Sequence, residues 1–191
     1  MKRLVGSVSL LLVLALVLGL VAGGGPARSQ PANTLVYVRS SDSTFLDIGF
    51  SNTLEDEDVG VNIFDNLLNV DASGHVLPGL ATSWTQTTGQ VWTFKLRPGV
   101  KFHDGTSVDA EAVVFSFNRY RPDSPFYYKG RTSNARRWLG DSFVGAEALD
   151  ATTVRLTLKE PYGLFPDMLA YWGFPIVSPT AVKKLGEEFP R

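Results

Sequence analysis

Two histidines, His75 and His103, and no cysteine are what this 191-residue chain offers to nucleophilic or acid–base chemistry. Without a thiol there is no thiolate, and no serine stands in the Gly-x-Ser-x-Gly setting that exposes a hydroxyl on a strand-to-helix turn. His103 precedes Asp104, a pair that could pass a proton. The same residues open His103-Asp104-Gly105-Thr106, where an Asp side chain bonding its own backbone makes a turn, and the turn is the expected role. Two separated histidines without an H-x-x-x-H or cysteine cluster supply no closed site, so no metal ligand is assigned. Gly23-Gly24-Gly25 has no strand before it and no lysine after it, which excludes a phosphate loop. Carboxylates remain: Glu160 and Asp167 lie near Tyr171-Trp172, an aromatic platform of the kind that stacks sugars. This keeps a secreted hydrolase acting on sugars or peptides as the alternative reading. From this inventory no catalytic residue and no cofactor is assigned.

The elements that would position such groups are clearest from Trp92 to Phe117, WTFKLRPGVKFHDGTSVDAEAVVFSF. Trp92, Phe94 and Leu96 alternate with Thr93, Lys95 and Arg97, the period of a strand with one buried face. Arg97-Pro98-Gly99-Val100 turns the chain, because Pro98 fixes φ at one central position and Gly99 accepts a positive φ at the next. Asp109 is placed to cap a helix from Ala110 to about Arg119, whose apolar face is Ala110, Val113, Val114 and Phe117. Trp84, Trp92 and Phe94 are expected in the core.

Upstream, Leu35-Val36-Tyr37-Val38 predicts a short central strand buried on both faces. Thr53 with Asp56 resembles a capping box, and the run Glu55 to Asp58 puts negative charge at a helix N-terminus. Asp71-Ala72-Ser73-Gly74 predicts a turn. Residues 121–142 form a long irregular segment carrying Phe126, Tyr127, Tyr128 and Trp138, the best candidate binding loop. Phe143–Leu149 and Thr153–Leu158 predict a hairpin, Leu164–Ala170 a short helix, and Ser178-Pro179 a capped helix closed by Gly186.

Part of the chain's hydrophobicity is not fold. Lys2 and Arg3 precede an apolar run from Leu4 to Ala22, and Ala27-Arg28-Ser29 offers small residues before Gln30, the layout of a signal peptide over residues 1–29 cleaved after Ser29. A retained membrane anchor is the competing reading of that run. Removing Lys2, Arg3 and Arg28 leaves fifteen basic against nineteen acidic side chains, a mildly acidic balance that argues against nucleic acid. An exported chain without cysteine has no disulfides and relies on its core.

Five pieces in order resemble the extracytoplasmic solute-binding proteins of peptide-type ABC importers, the family of dipeptide-, oligopeptide- and nickel-binding proteins. They are TLVYVRSSDSTFLDIGF, NIFDNLLNVDASGHVLPGLATSW, the Trp92–Phe117 stretch, EALDATTVRLTLKEPYGLFPDMLA and IVSPTAVKKLG, together covering roughly residues 34–189. The resemblance implies an α/β (mixed α+β) fold: a periplasmic-binding-protein-like lobe with a mixed sheet and peripheral helices, incomplete over residues 30–191, its second lobe absent. It implies a monomer that captures a peptide or small solute in the periplasm and delivers it to an inner-membrane ABC permease. A nickel-type ligand would bring its metal in a small chelate, and the missing cysteine excludes a lipoprotein anchor. The ligand-binding residues it suggests are Ser40, Ser41 and Asp42, through backbone groups, with Tyr127, Tyr128, Trp138, Tyr171 and Trp172. Arg136 and Arg137 could hold a ligand carboxylate or serve only to solvate the loop. One departure is Ala112, where the family usually has an acidic residue.

Overall fold

The computed structural model describes residues 33–131 and 134–189. The expected signal peptide over residues 1–29 lies outside these residues. Among those described, no helix is long and apolar enough to cross a membrane. The chain divides into two units, Met1–Val38 and Arg39–Arg191. In the first, Leu35–Val38 forms no strand among the described residues, and Leu35 and Val38 are 92% and 85% exposed. The expected buried central strand is therefore corrected. A β-prone apolar run becomes a strand only when a neighbouring backbone pairs with it, and no described strand does so here.

The second unit is built on a four-stranded antiparallel sheet. Strands β3 (Ala81–Thr88), β4 (Val91–Leu96), β5 (Phe143–Asp150) and β6 (Thr153–Leu158) lie in the order β3-β4-β6-β5, while β1 (Leu68–Val70) and β2 (Val76–Pro78) form a separate antiparallel pair. Helix and sheet mix as expected, and every pairing among the described residues is antiparallel. The alternation in β4 has the predicted result: Trp92, Phe94 and Leu96 are buried, Trp92 and Phe94 opposite Leu156 and Val154 of β6, and Phe94 is fully so. The predicted hairpin of β5 and β6 forms, with Asp150 at its turn. Asp150 accepts from the Thr153 hydroxyl and the Thr152 amide, which pull its carboxyl down to about 2.

Helices begin where the caps predict them. Helix α1 (Leu54–Gly60) starts at Thr53, whose hydroxyl accepts from Asp56 N. Helix α2 (Ala110–Asn118) starts at Asp109, which accepts from Ala112 N. Helix α2 buries Ala110, Val113 and Phe117 and packs on β5 and β6. Ala112 is 2% exposed, so a carboxylate there would be buried. Two short helices, α3 (Asn134–Leu139) and α4 (Phe165–Leu169), flank the hairpin in sequence. The last helix, α5 (Pro179–Leu185), is capped by Ser178 with Pro179 at its first position and ends at Gly186. Gly99 and Gly105 take φ of 77° and 83°, the positive values their turns require.

Candidate functional site

Three aromatic rings meet at the surface from two separate segments. On α3, Ala135 and Leu139 are buried one helical turn apart, which leaves Trp138 facing outward, 45% exposed. After α4, whose Phe165, Met168 and Leu169 are buried, the amide of Tyr171 donates to Met168 O and the chain leaves the helix. Tyr171 then stacks on Trp138, with centroids 4.6 Å apart and planes 24° from parallel, and contacts Trp172 at 4.9 Å. Trp138 also borders a recess of about 230 Å³ with Glu160, Tyr162 and Met168.

Such a surface presents π faces. It can stack a planar or apolar group, a sugar face or a guanidinium, with orientation set by whatever polar groups lie at its rim. Arg137, exposed beside Trp138, and Arg136, 3.9 Å from Asp141, put cationic donors on the same helix.

The other sequence-predicted residues lie elsewhere. Tyr127 and Tyr128 are half-buried and pack edge-on against Phe50 at 5.5 and 5.0 Å, and Tyr128 also meets Phe45 at 5.5 Å. The Tyr128 hydroxyl donates to Gly186 O at 3.4 Å, and burial, then the nearby Asp47 charge, pushes its pKa up to about 12. These two rings wall the core, so the aromatic-rich segment is split: its first half faces inward and its Trp138 outward.

Ser40, Ser41 and Asp42 are exposed and are held by α1. Arg39 Nη1 donates to Glu55 O at 3.1 Å, Ser40 Oγ donates to Glu55 Oε1 at 2.9 Å, and Arg39 Nη2 donates to Asp42 Oδ1 at 3.3 Å. Next to them Asp56, 1% exposed, accepts from Thr44 N at 2.7 Å, Phe45 N at 3.0 Å and Ser51 Oγ at 2.5 Å. Burial opposes its charge, yet these donors outweigh burial and hold the carboxyl below its ordinary range. The acidic run read as a helix cap is thus also a clamp on residues 39–51. Its position was visible in sequence; the direction of the Asp56 carboxylate was not.

His103-Asp104 is a turn, as expected. Asp104 Oδ1 accepts from Thr106 N at 2.9 Å, and Oδ2 accepts from Ser178 Oγ at 2.5 Å, tying the turn to the cap of α5 and lowering the carboxyl pKa. His103 is exposed, on the rim of a mainly apolar cleft of about 300 Å³. Glu160 and Asp167 are both exposed. Asn66 is a functional candidate that the sequence did not reveal: its side-chain amide donates to Tyr171 O at 2.9 Å.

With this geometry in view, comparisons with known proteins agree on one family. Residues 75–190 match the model of the bacterial extracellular solute-binding proteins, family 5 Middle. The periplasmic oligopeptide-binding protein OppA of Salmonella typhimurium is 31% identical over 176 residues, covering 86% of this chain and 32% of that protein. The glutathione-binding protein GsiB of Shigella flexneri is 34% identical over 158 residues, covering 82% and 30%. Among solved structures, the periplasmic binding protein DppA of Helicobacter pylori, in complex with the peptide STSA, superposes with a TM-score of 0.65 at 29% identity, covering 76% of this chain and 31% of that one. The chain therefore spans about a third of the length of the relatives it matches.

Proposed function

The chain belongs to the bacterial extracellular solute-binding proteins of family 5, and from that premise we propose that it is part of the solute-capturing component of an ABC importer. On this reading residues 1–29 are a cleaved export signal and residues 30–191 the N-terminal part of a first lobe. A second lobe closes on the ligand, and a membrane permease with its ATPase receives it. The protein works in the periplasm as a monomer and makes or breaks no bond. Ligand affinity comes from lobe closure around an extended peptide or similar small solute.

The observation that supports this reading is the surface cluster of Trp138, Tyr171 and Trp172, in which Tyr171 stacks on Trp138 and Trp172 lies tilted against it. Large rings stacked at a surface, with cationic side chains on the same helix, suit a solute that offers an apolar or planar group and a carboxylate. The residues of the Ser40–Asp42 segment, held in shape by Glu55, serve as backbone partners for an extended ligand.

The test uses the intact gene product purified gently from periplasm. Native mass spectrometry is expected to show a noncovalent solute, and added peptides or glutathione to raise the melting temperature. Trp138→Ala is expected to weaken that binding. Absence of binding and of any melting shift across peptides, glutathione, nickel chelates and sugars would overturn the reading. Sequencing of the mature N-terminus is expected to begin at Gln30.

A further inference from the structure

The segment carrying Tyr171 and Trp172 has to hold two large rings at the surface without a regular element of its own: from Tyr171 to Val177 there is neither helix nor strand. Two adjacent residues, far away in sequence, tie it down. Ile176 N donates to the carbonyl of Asp65 at 3.0 Å, and the Asn66 side-chain amide donates to the carbonyl of Tyr171 at 2.9 Å. Asn66 is anchored in turn, because Leu80 N donates to its carbonyl at 3.1 Å and Ala81 N donates to Leu67 O at 2.8 Å, at the entry to β3. The main sheet is thus linked through one side chain to the main chain of Tyr171, whose ring stacks on Trp138.

The residue type suits the task. Tyr171 lies just past a short helix, where carbonyls run out of helical donors, and a neutral amide supplies a donor without adding charge. An aspartate of the same shape would present only acceptors to that carbonyl. The bond spans 105 residues of sequence, so it can form only once the fold has.

We propose that Asn66 is a positioning residue of the aromatic platform: it sets the height of the Tyr171 main chain so that the ring lies flat on Trp138. The role in ligand capture rests on the platform being the ligand-facing surface; the tether itself does not.

The experiment therefore has two arms. In the full chain, the near-ultraviolet circular dichroism band of the stacked pair is defined as the difference between the parent and Trp138→Ala. Asn66→Ala is expected to lose most of that band, and Asn66→Asp more of it, while far-ultraviolet spectra and cooperative melting persist. Retention of the band in both variants overturns the tether. In the intact gene product, Asn66→Ala is expected to weaken binding of a STSA tetrapeptide or of glutathione by roughly three- to tenfold, the range one hydrogen bond supplies. The same substitution in a Trp138→Ala background is expected to change nothing further. An equal loss in both backgrounds overturns action through the platform. If Trp138→Ala leaves both affinities unchanged, the ligand role falls with the platform reading, and the band alone decides the tether.

Discussion

Asp47 and Arg119, 72 residues apart, face each other as an ion pair in which neither side chain reaches water. The Arg119 guanidinium also lies 5.2, 5.8 and 5.6 Å from the rings of Phe50, Tyr128 and Phe189. Burial alone would push Arg119 toward neutrality; the Asp47 carboxylate beside it outweighs burial and keeps it charged. The pair joins the turn before α1, the end of α2, the inward half of the aromatic segment and the turn after α5.

Removing one partner leaves the other as an uncompensated buried charge. Arg119→Met or Asp47→Leu alone is expected to cost about 3–5 kcal/mol in urea unfolding. The double substitution is expected to cost much less than the two single costs added, because apolar groups replace both charges. Strict additivity would show that the pair is not coupled.

Asp56 carries three hydrogen bonds into the 44–51 segment, two of them from backbone amides. Asp56→Ala is expected to destabilise the chain by about 3 kcal/mol, since bonds to a charged acceptor are worth more than neutral ones and their donors would be left buried. Proteolysis near Thr44 should accelerate in the variant. Its folded pKa is lowered, so its contribution is present above the ordinary value of 3.8 and is lost as pH falls through the lower folded one.

Glu57 behaves in the opposite sense. Burial, then the charges of Asp58 and Asp56, push its carboxyl from 4.5 up to about 7. The folded chain holds this proton more tightly than the unfolded one, so stability falls as pH rises from 4.5 to about 7 and then levels off. Glu57→Gln is expected to match the parent below that window and to exceed it increasingly across it. A difference independent of pH in denaturant titrations would contradict this.

Gly60 ends α1 so close to Ile48 that a Cβ would sit 2.0 Å from Ile48 Cγ2, and Ile48 is 1% exposed. Alanine there gains about 1 kcal/mol of helix propensity. Overpacking of a buried site costs about 1–3 kcal/mol, and at this separation the clash wins. Gly60→Ala is expected to lower the melting temperature, and Ile48→Ala is expected to relieve part of the loss when combined with it. A stabilised Gly60→Ala would show that the two elements separate freely.

What could be read in advance follows the range of the forces involved. The caps at Thr53, Asp109 and Ser178 and the turns at Gly99 and Gly105 are settled within a few residues, and all five form. The buried face of β4 follows from alternation alone. Leu35–Val38 shows the limit of that logic, because composition can favour a strand without supplying the edge it needs. Asp56 shows another: a carboxylate three residues past Thr53 can return to the cap or reach further back along the chain to Thr44 and Phe45. Burial, not spacing, chooses between them.

The sequence by itself determined the family resemblance and most of the local elements, since these reside in residue type and short spacing. Tertiary structure alone decided which aromatic rings stay outside. It packed the half-buried Tyr127 and Tyr128 against Phe50, stacked Trp138 on Tyr171, and brought Asn66 to the Tyr171 carbonyl. The physical reason is that a ring's exposure depends on what packs against it. Partners 72 or 105 residues away leave no trace in local pattern, because their meeting is set by sheet order and helix placement.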